Sequence, residues 1–209
     1  MTAGADVVLI VAVIAAIADW WAVARTNRRV EYIAKPATLA ALVVMALLLH
    51  PAHHGERVFF VVALVLSLAG DVFLMLEADL FVAGLASFLL AHIAFVAGFL
   101  SVRSVPRYGP VVAIAVGLAV APRILRSLRA GADRALTAPV VTYMFVISAM
   151  VAASFATRRP LAILAALTFY ASDSLIAEQR FVQPRSWQPV AIMVTYHLAQ
   201  IGFVLSLLR

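Results

Sequence analysis

Apolar residues run along this chain in long blocks, broken by short clusters of arginine, proline and polar residues. Crossing the hydrocarbon core takes roughly 20 mostly apolar residues in a helix. The backbone must then satisfy its own hydrogen bonds. The blocks predict spans near 5–24, 36–50, 57–77, 80–101, 109–125, 136–157, 160–179 and 188–208. Lys35-Pro36 opens the second span, and Pro122-Arg123 ends the fifth early. Connections are brief and no low-complexity segment intervenes. The expected fold is all-α, a polytopic transmembrane bundle of about eight spans forming one integral-membrane domain over residues 1–209.

Composition agrees with that pattern. Hydrophobic residues make up 65% and charged residues 12%, with mean hydropathy +1.05. A soluble chain averages about 45–50% apolar and about 25% charged. Cysteine is absent, which excludes disulfides and thiol chemistry. The net charge of +6 does not suggest nucleic acid, because the arginines fall between apolar blocks and read as topology determinants and headgroup contacts. Ala16-Ile17-Ala18 imitates a signal-cleavage site, but no basic segment precedes the first block, and Trp20-Trp21, Arg25, Arg28 and Arg29 follow it. A retained first span is expected. With eight spans both termini share a side, and ten of the 16 lysines and arginines fall on the other. The positive-inside rule then places both termini outside the cytoplasm. Richness in Ala, Val and Arg fits a bacterial inner membrane.

Two aspartates interrupt the apolar blocks. Asp71 follows Ser67-Leu68-Ala69-Gly70, and Asp173 sits in Tyr170-Ala171-Ser172-Asp173-Ser174. A carboxylate at membrane depth costs about 2.5–3.5 kcal/mol on insertion scales, so it marks a functional site by default. Counting from the expected span ends, Asp19, Asp71 and Asp173 lie about 8–9 Å below the arginine-rich surface, and Tyr143 and Tyr196 about 10–12 Å. Lys35 begins its span, and His92 is about 18 Å deep. Polar residues from six or seven spans thus converge on one half of the membrane, which predicts a pocket open toward one leaflet. Gly70-Asp71, Glu77, Phe81 and His92 are faintly echoed by Ser172-Asp173, Glu178, Phe181 and His197 four spans later. His92, His197, Asp71 and Asp173 would be chemically valid zinc ligands, but no H-x3-H or HExxH spacing supports them. Neither a metal nor a cofactor is expected.

The motifs carry a resemblance. Lys35-Pro36, Gly70-Asp71, the F-x2-G-x3-F-x3-H run of Phe81, Gly84, Phe88 and His92, Tyr143 with Ile147 and Met150, Ser172-Asp173, and Thr195-Tyr196 with Ala199-Gln200 together resemble the YhhN family. That family includes membrane lysoplasmalogenases. The likeness covers about seven of the eight spans, and His197 stands where a second tyrosine is expected. It implies hydrolysis of a lysoplasmalogen vinyl ether to a fatty aldehyde and a glycerophospho-headgroup. The substrate would be a lysophospholipid drawn from the bilayer, with membrane lipids as the other partners.

That chemistry needs an acid to protonate carbon, a base to activate water, and negative charge near an oxocarbenium ion. Glycosidases meet similar needs with two carboxylates. An apolar setting disfavours ionised groups, so a membrane pocket can keep one aspartate protonated beside an ionised partner. Asp71 and Asp173 are the expected acid and base, in either order. Lys35, His92, Tyr143, Ser172, Tyr196, Gln200 and Asp19 are the expected substrate-binding residues. The alternative is a proton-coupled transporter of a small molecule or lipid, which would use the same Asp, His and Lys set. A transporter needs a polar path to both surfaces, whereas Val61-Val62-Ala63-Leu64-Val65-Leu66 typifies the featureless opposite half. A purely structural protein would tolerate Asp71→Asn and Asp173→Asn.

Overall fold

A computed structural model describes residues 3–51, 53–76, 80–102, 105 and 107–208. Its helices are α1 (Ala3–Ala24), α2 (Arg28–Leu48), α3 (His54–Met75), α4 (Phe81–Leu100), α5 (Gly109–Ala130), α6 (Thr137–Ser154), α7 (Pro160–Phe181) and α8 (Gln188–Ser206). Short 3-10 turns at Ala132–Leu136 and Phe155–Thr157 flank α6. No strand occurs among the described residues. All eight helices are long and apolar enough to cross a membrane. The outward faces are apolar too, as Ile14, Leu118 and Phe145 illustrate. The chain is an integral membrane protein of all-helical architecture. Glu77, Arg103 and Arg209, which entered the repeat and charge arguments, lie outside the described residues.

Consecutive helices pack as hairpins, α1 on α2, α3 on α4, α5 on α6 and α7 on α8. The last helix is central, touching α1, α2 and α3 as well as α7. By contrast α5 sits at the periphery, against α6 and α7. Glycines let α3 and α4 approach closely. A Cβ on Gly70 would sit 2.7 Å from the Phe88 ring, and one on Gly84 2.6 Å from Leu74. Across that seam the Ser87 hydroxyl donates to the Leu66 carbonyl at 2.7 Å.

The bundle is plugged by rings in the half that holds the chain termini. Phe60 meets Phe95 edge-on at 5.1 Å, and Phe95 packs on Phe203 at 4.3 Å. Phe99 and Phe169 complete the cluster, and all five are fully buried. Beyond the plug Arg159 reaches both oxygens of buried Glu56 at 3.1 and 3.0 Å, and donates to the Ser206 carbonyl at 2.9 Å. One guanidinium thereby ties together the ends of α3, α7 and α8.

Two expected boundaries are corrected. The second span does not start at Lys35. It starts at Arg28, where the Asn27 side chain accepts from the Val30 amide at 3.4 Å, and Pro36 lies inside the helix. Lys35 is therefore two turns in and buried. The first turn is held by tertiary bonds, since Tyr32 and Arg28 donate to the Met75 carbonyl at 3.0 and 3.3 Å. The fifth span likewise continues through Pro122 to Ala130. Ile124 and Leu128 are buried beyond the proline in a cluster with Val140, which offsets the missing backbone bond. With the observed ends, Asp71 lies about 6 Å from the end of α3 and Asp173 about 12 Å from that of α7.

Candidate functional site

Each membrane aspartate has its own set of partners, supplied by different helices. Asp71 of α3 is buried and receives the Lys35 ammonium of α2 on Oδ1 at 3.2 Å. The Tyr196 hydroxyl of α8 donates to its other oxygen at 2.6 Å. Asp173 of α7 accepts a hydrogen bond from the Tyr143 hydroxyl of α6. His92 Nε2 of α4 stands 3.7 Å from the same oxygen, and neither ring nitrogen makes a hydrogen bond. Aromatic contacts join the two sets. His92 lies 4.8 Å from Phe169, which lies 5.5 Å from Tyr196, and Phe88 touches both Phe169 and Tyr196. Asp71 thus carries a cation and Asp173 does not.

Two spaces of opposite character meet at Asp173. A vestibule with about 1140 Å³ of empty space is bordered by Lys35, Asp71, Asp173 and Tyr196, with Glu31, Gln179 and Arg180 toward the arginine-rich surface. An apolar crevice with about 640 Å³ of empty space runs from Tyr143 and Asp173 past Leu85, Ile147, Met144 and Val120. Leu74, Phe81, Phe88, Asp173 and Ile176 border both. The Phe81 ring closes part of the junction, edge-on to Phe181 at 5.8 Å and beneath the Arg180 guanidinium at 4.8 Å. Such a site can hold an amphiphile with its polar part toward Lys35 and its chain in the crevice.

Lys35, Asp71, Tyr196, Tyr143, Asp173 and His92 are thus brought together as two linked sets. The other expected residues are placed differently. Ser172 is turned away from both spaces and donates to the Ile192 carbonyl at 3.1 Å, pinning α7 to α8. Gln200 is buried one turn beyond Tyr196, with no hydrogen bond of good geometry at either amide atom. Asp19 is fully buried on α1, both oxygens lacking a hydrogen bond, with His197 Nδ1 4.0 Å away. The Trp20 indole donates to that same Nδ1 at 3.1 Å and to the Met193 carbonyl at 3.2 Å. Nδ1 is then an acceptor, so its approach to Asp19 is not an ion pair. The four residues weighed as zinc ligands are divided, His92 beside Asp173, His197 beside Asp19, and Asp71 on Lys35. Among the described residues no group of three His, Asp or Glu side chains has metal-holding geometry.

Sequence reasoning missed Glu31, Gln179 and Arg180 in the vestibule and Tyr170 and Ser174 in the crevice. Helical spacing carried a signal for three of them. Glu31 lies four residues before Lys35, Arg180 seven after Asp173 and Tyr170 three before it, all same-face separations.

A family model described as the YhhN family matches residues 30–207. Proteins named lysoplasmalogenase from Mycobacterium bovis (strain ATCC BAA-935 / AF2122/97) and Mycobacterium tuberculosis (strain CDC 1551 / Oshkosh) are each 34% identical to the chain over 173 residues. The match covers 79% of this chain and 66% of each relative, just under two thirds of their length. No solved structure matches. The matched segment leaves out α1, so Asp19 and Trp20 fall outside it.

Proposed function

This chain belongs to the YhhN family, and from that premise we propose that it is an intramembrane lipid hydrolase cleaving the vinyl ether of lysoplasmalogens. The observation that carries the proposal is Asp173 at the junction of a polar vestibule and an apolar crevice, with the Lys35–Asp71 pair on the vestibule wall. An alkenyl chain in the crevice and a glycerophospho-headgroup in the vestibule bring the vinyl ether to that junction. The membrane of residence is proposed to be the bacterial inner membrane.

Asp173 is the proposed acid, because it faces the apolar space and no cation pairs with it among the described residues. Its proton adds to the alkenyl carbon beta to oxygen, leaving an oxocarbenium ion at the carbon bonded to oxygen. Asp71, held ionised by Lys35, sits on the polar side, where it takes a proton from the attacking water. The hemiacetal that forms then loses its glycerol oxygen as an alcohol, and its hydroxyl proton leaves as the aldehyde carbonyl forms. One water is consumed and no redox change occurs. Tyr143 and Tyr196 orient the two carboxylates, and the cation is stabilised by negative charge already in place. A transporter reading is weaker, because the five-ring plug closes the bundle between the vestibule and the opposite surface.

The test is aldehyde release from a lysoplasmalogen by detergent-purified protein, with EDTA present throughout. Turnover by the wild type that is lost in both Asp71→Asn and Asp173→Asn is the expected result. A folded wild type that releases no aldehyde overturns the substrate, and full activity in either variant overturns the two-carboxylate mechanism.

A further inference from the structure

The apolar crevice does not end inside the protein. Four of its residues, Val120 and Ile124 of α5 and Tyr170 and Ser174 of α7, also border a groove on the outer face of the bundle. That groove holds about 1010 Å³ of empty space and lies between α5 and α7. Its outer rim is made by Ala119 and Ala171, both exposed on faces that meet lipid. The two helices are tied only near the arginine-rich surface. There Arg123 bonds Glu178 at 3.1 Å and the Ser127 hydroxyl donates to the Phe181 carbonyl. Deeper in the membrane small or slender side chains leave the gap. Gly117 adds no side chain toward Ser148 and Tyr170, and the buried Tyr170 hydroxyl lacks a hydrogen-bond partner.

We propose that the α5–α7 gap is a lateral doorway occupied by the hydrocarbon tail of a single-chain lipid, which passes through it between the bilayer and the crevice. The inference rests on the hydrolase reading and adds the route its substrate takes. Continuity of the walls argues for a chain rather than a globular partner. The space that contains Asp173 and the space that faces lipid share four side chains, and the passage carries no formal charge until Arg123 and Glu178 at its polar end. A charge-free slot of this kind suits methylene groups, and the ion pair at its rim lies at the level of a headgroup. The doorway also means that the far end of a long tail remains in the bilayer, so length is not measured by a closed end.

Because the chain has no cysteine, the doorway can be clamped in the full-length protein. Ala119→Cys/Ala171→Cys is joined by a short bis-maleimide, with a monofunctional maleimide as control. Clamping is expected to cut turnover of a long-chain lysoplasmalogen in bilayers about tenfold or more, while a short-chain soluble analogue stays within about twofold. Equal loss for both substrates, or no loss for either, overturns the doorway and leaves the hydrolase reading standing. Should the wild type hydrolyse neither substrate, the hydrolase reading falls, and binding decides the doorway. For that, Val120→Trp is titrated with a lysolipid brominated near its chain terminus. Saturable quenching, competed by the unbrominated lipid and absent in Ile10→Trp on the outer face of α1, supports the doorway. Quenching equal to that of Ile10→Trp overturns it.

Discussion

Lys35 and Asp71 form a buried pair in a place where neither charge is tolerable alone. Removing one partner of such a pair costs roughly 3–5 kcal/mol, whereas replacing both with apolar groups is often near neutral. Lys35→Met is therefore expected to lower the melting temperature and abolish turnover. Lys35→Met/Asp71→Leu should regain most of the stability and none of the activity, and thermal unfolding in detergent reads both. Tyr143→Phe tests the other set. It removes one donor to Asp173 without opening a cavity, so about 1 kcal/mol of stability is at stake. A fall in kcat of about 10- to 100-fold with little change in melting temperature would mark an orienting role. The two aspartates were legible in the sequence because the cost of a buried carboxylate needs no fold to be noticed. Their partners were not. The choice of Tyr196 for Asp71 and Tyr143 for Asp173 depends on which helices are neighbours, and all four residues sit at similar depth. Ser172 shows the same limit, since adjacency to Asp173 in sequence puts its hydroxyl on a different face of α7.

Helix extents were readable wherever hydropathy alone set them, as in α4, expected over 80–101 and found at Phe81–Leu100. The reading failed at prolines. Pro36 and Pro122 were taken as ends, yet both lie inside helices whose continuation is secured by burial of residues from the same helix. Periodicity does not reveal that support. Glycines give a sharper test of packing between helices. A Cβ on Gly109 would lie 2.1 Å from the Ala152 backbone oxygen, so α5 and α6 must separate to admit it. Gly117 on the same helix has no neighbour closer than 3.8 Å. Gly109→Ala is expected to destabilise the protein by about 1–3 kcal/mol, as overpacking does. Gly117→Ala should be neutral or stabilise it by up to about 1 kcal/mol through helix propensity. Equal melting temperatures for the two variants would contradict this packing of α5.

The molecule has two unlike ends. One holds the carboxylates, the vestibule and the crevice, and the other holds the ring plug and the Arg159 tie. Arg159→Leu leaves Glu56 buried without its cation, and a loss of roughly 3–5 kcal/mol is expected. Because the tie lies across the plug from Asp71 and Asp173, turnover per folded molecule at low temperature should be unchanged. A loss of activity without a loss of stability would mean that the ends communicate. One-sidedness was visible in the sequence as a segregation of polar residues. The meeting of two spaces at a single carboxylate was not, because it is made by side chains from α3, α4 and α7 that no local pattern links. That meeting point bears on what happens after the bond breaks. A scission there yields one fragment soluble in oil and one soluble in water, each already on its own side of Asp173. The fragments drift apart down opposite solubility gradients, so recombination is disfavoured by the partition of the products, and the site empties in two directions at once.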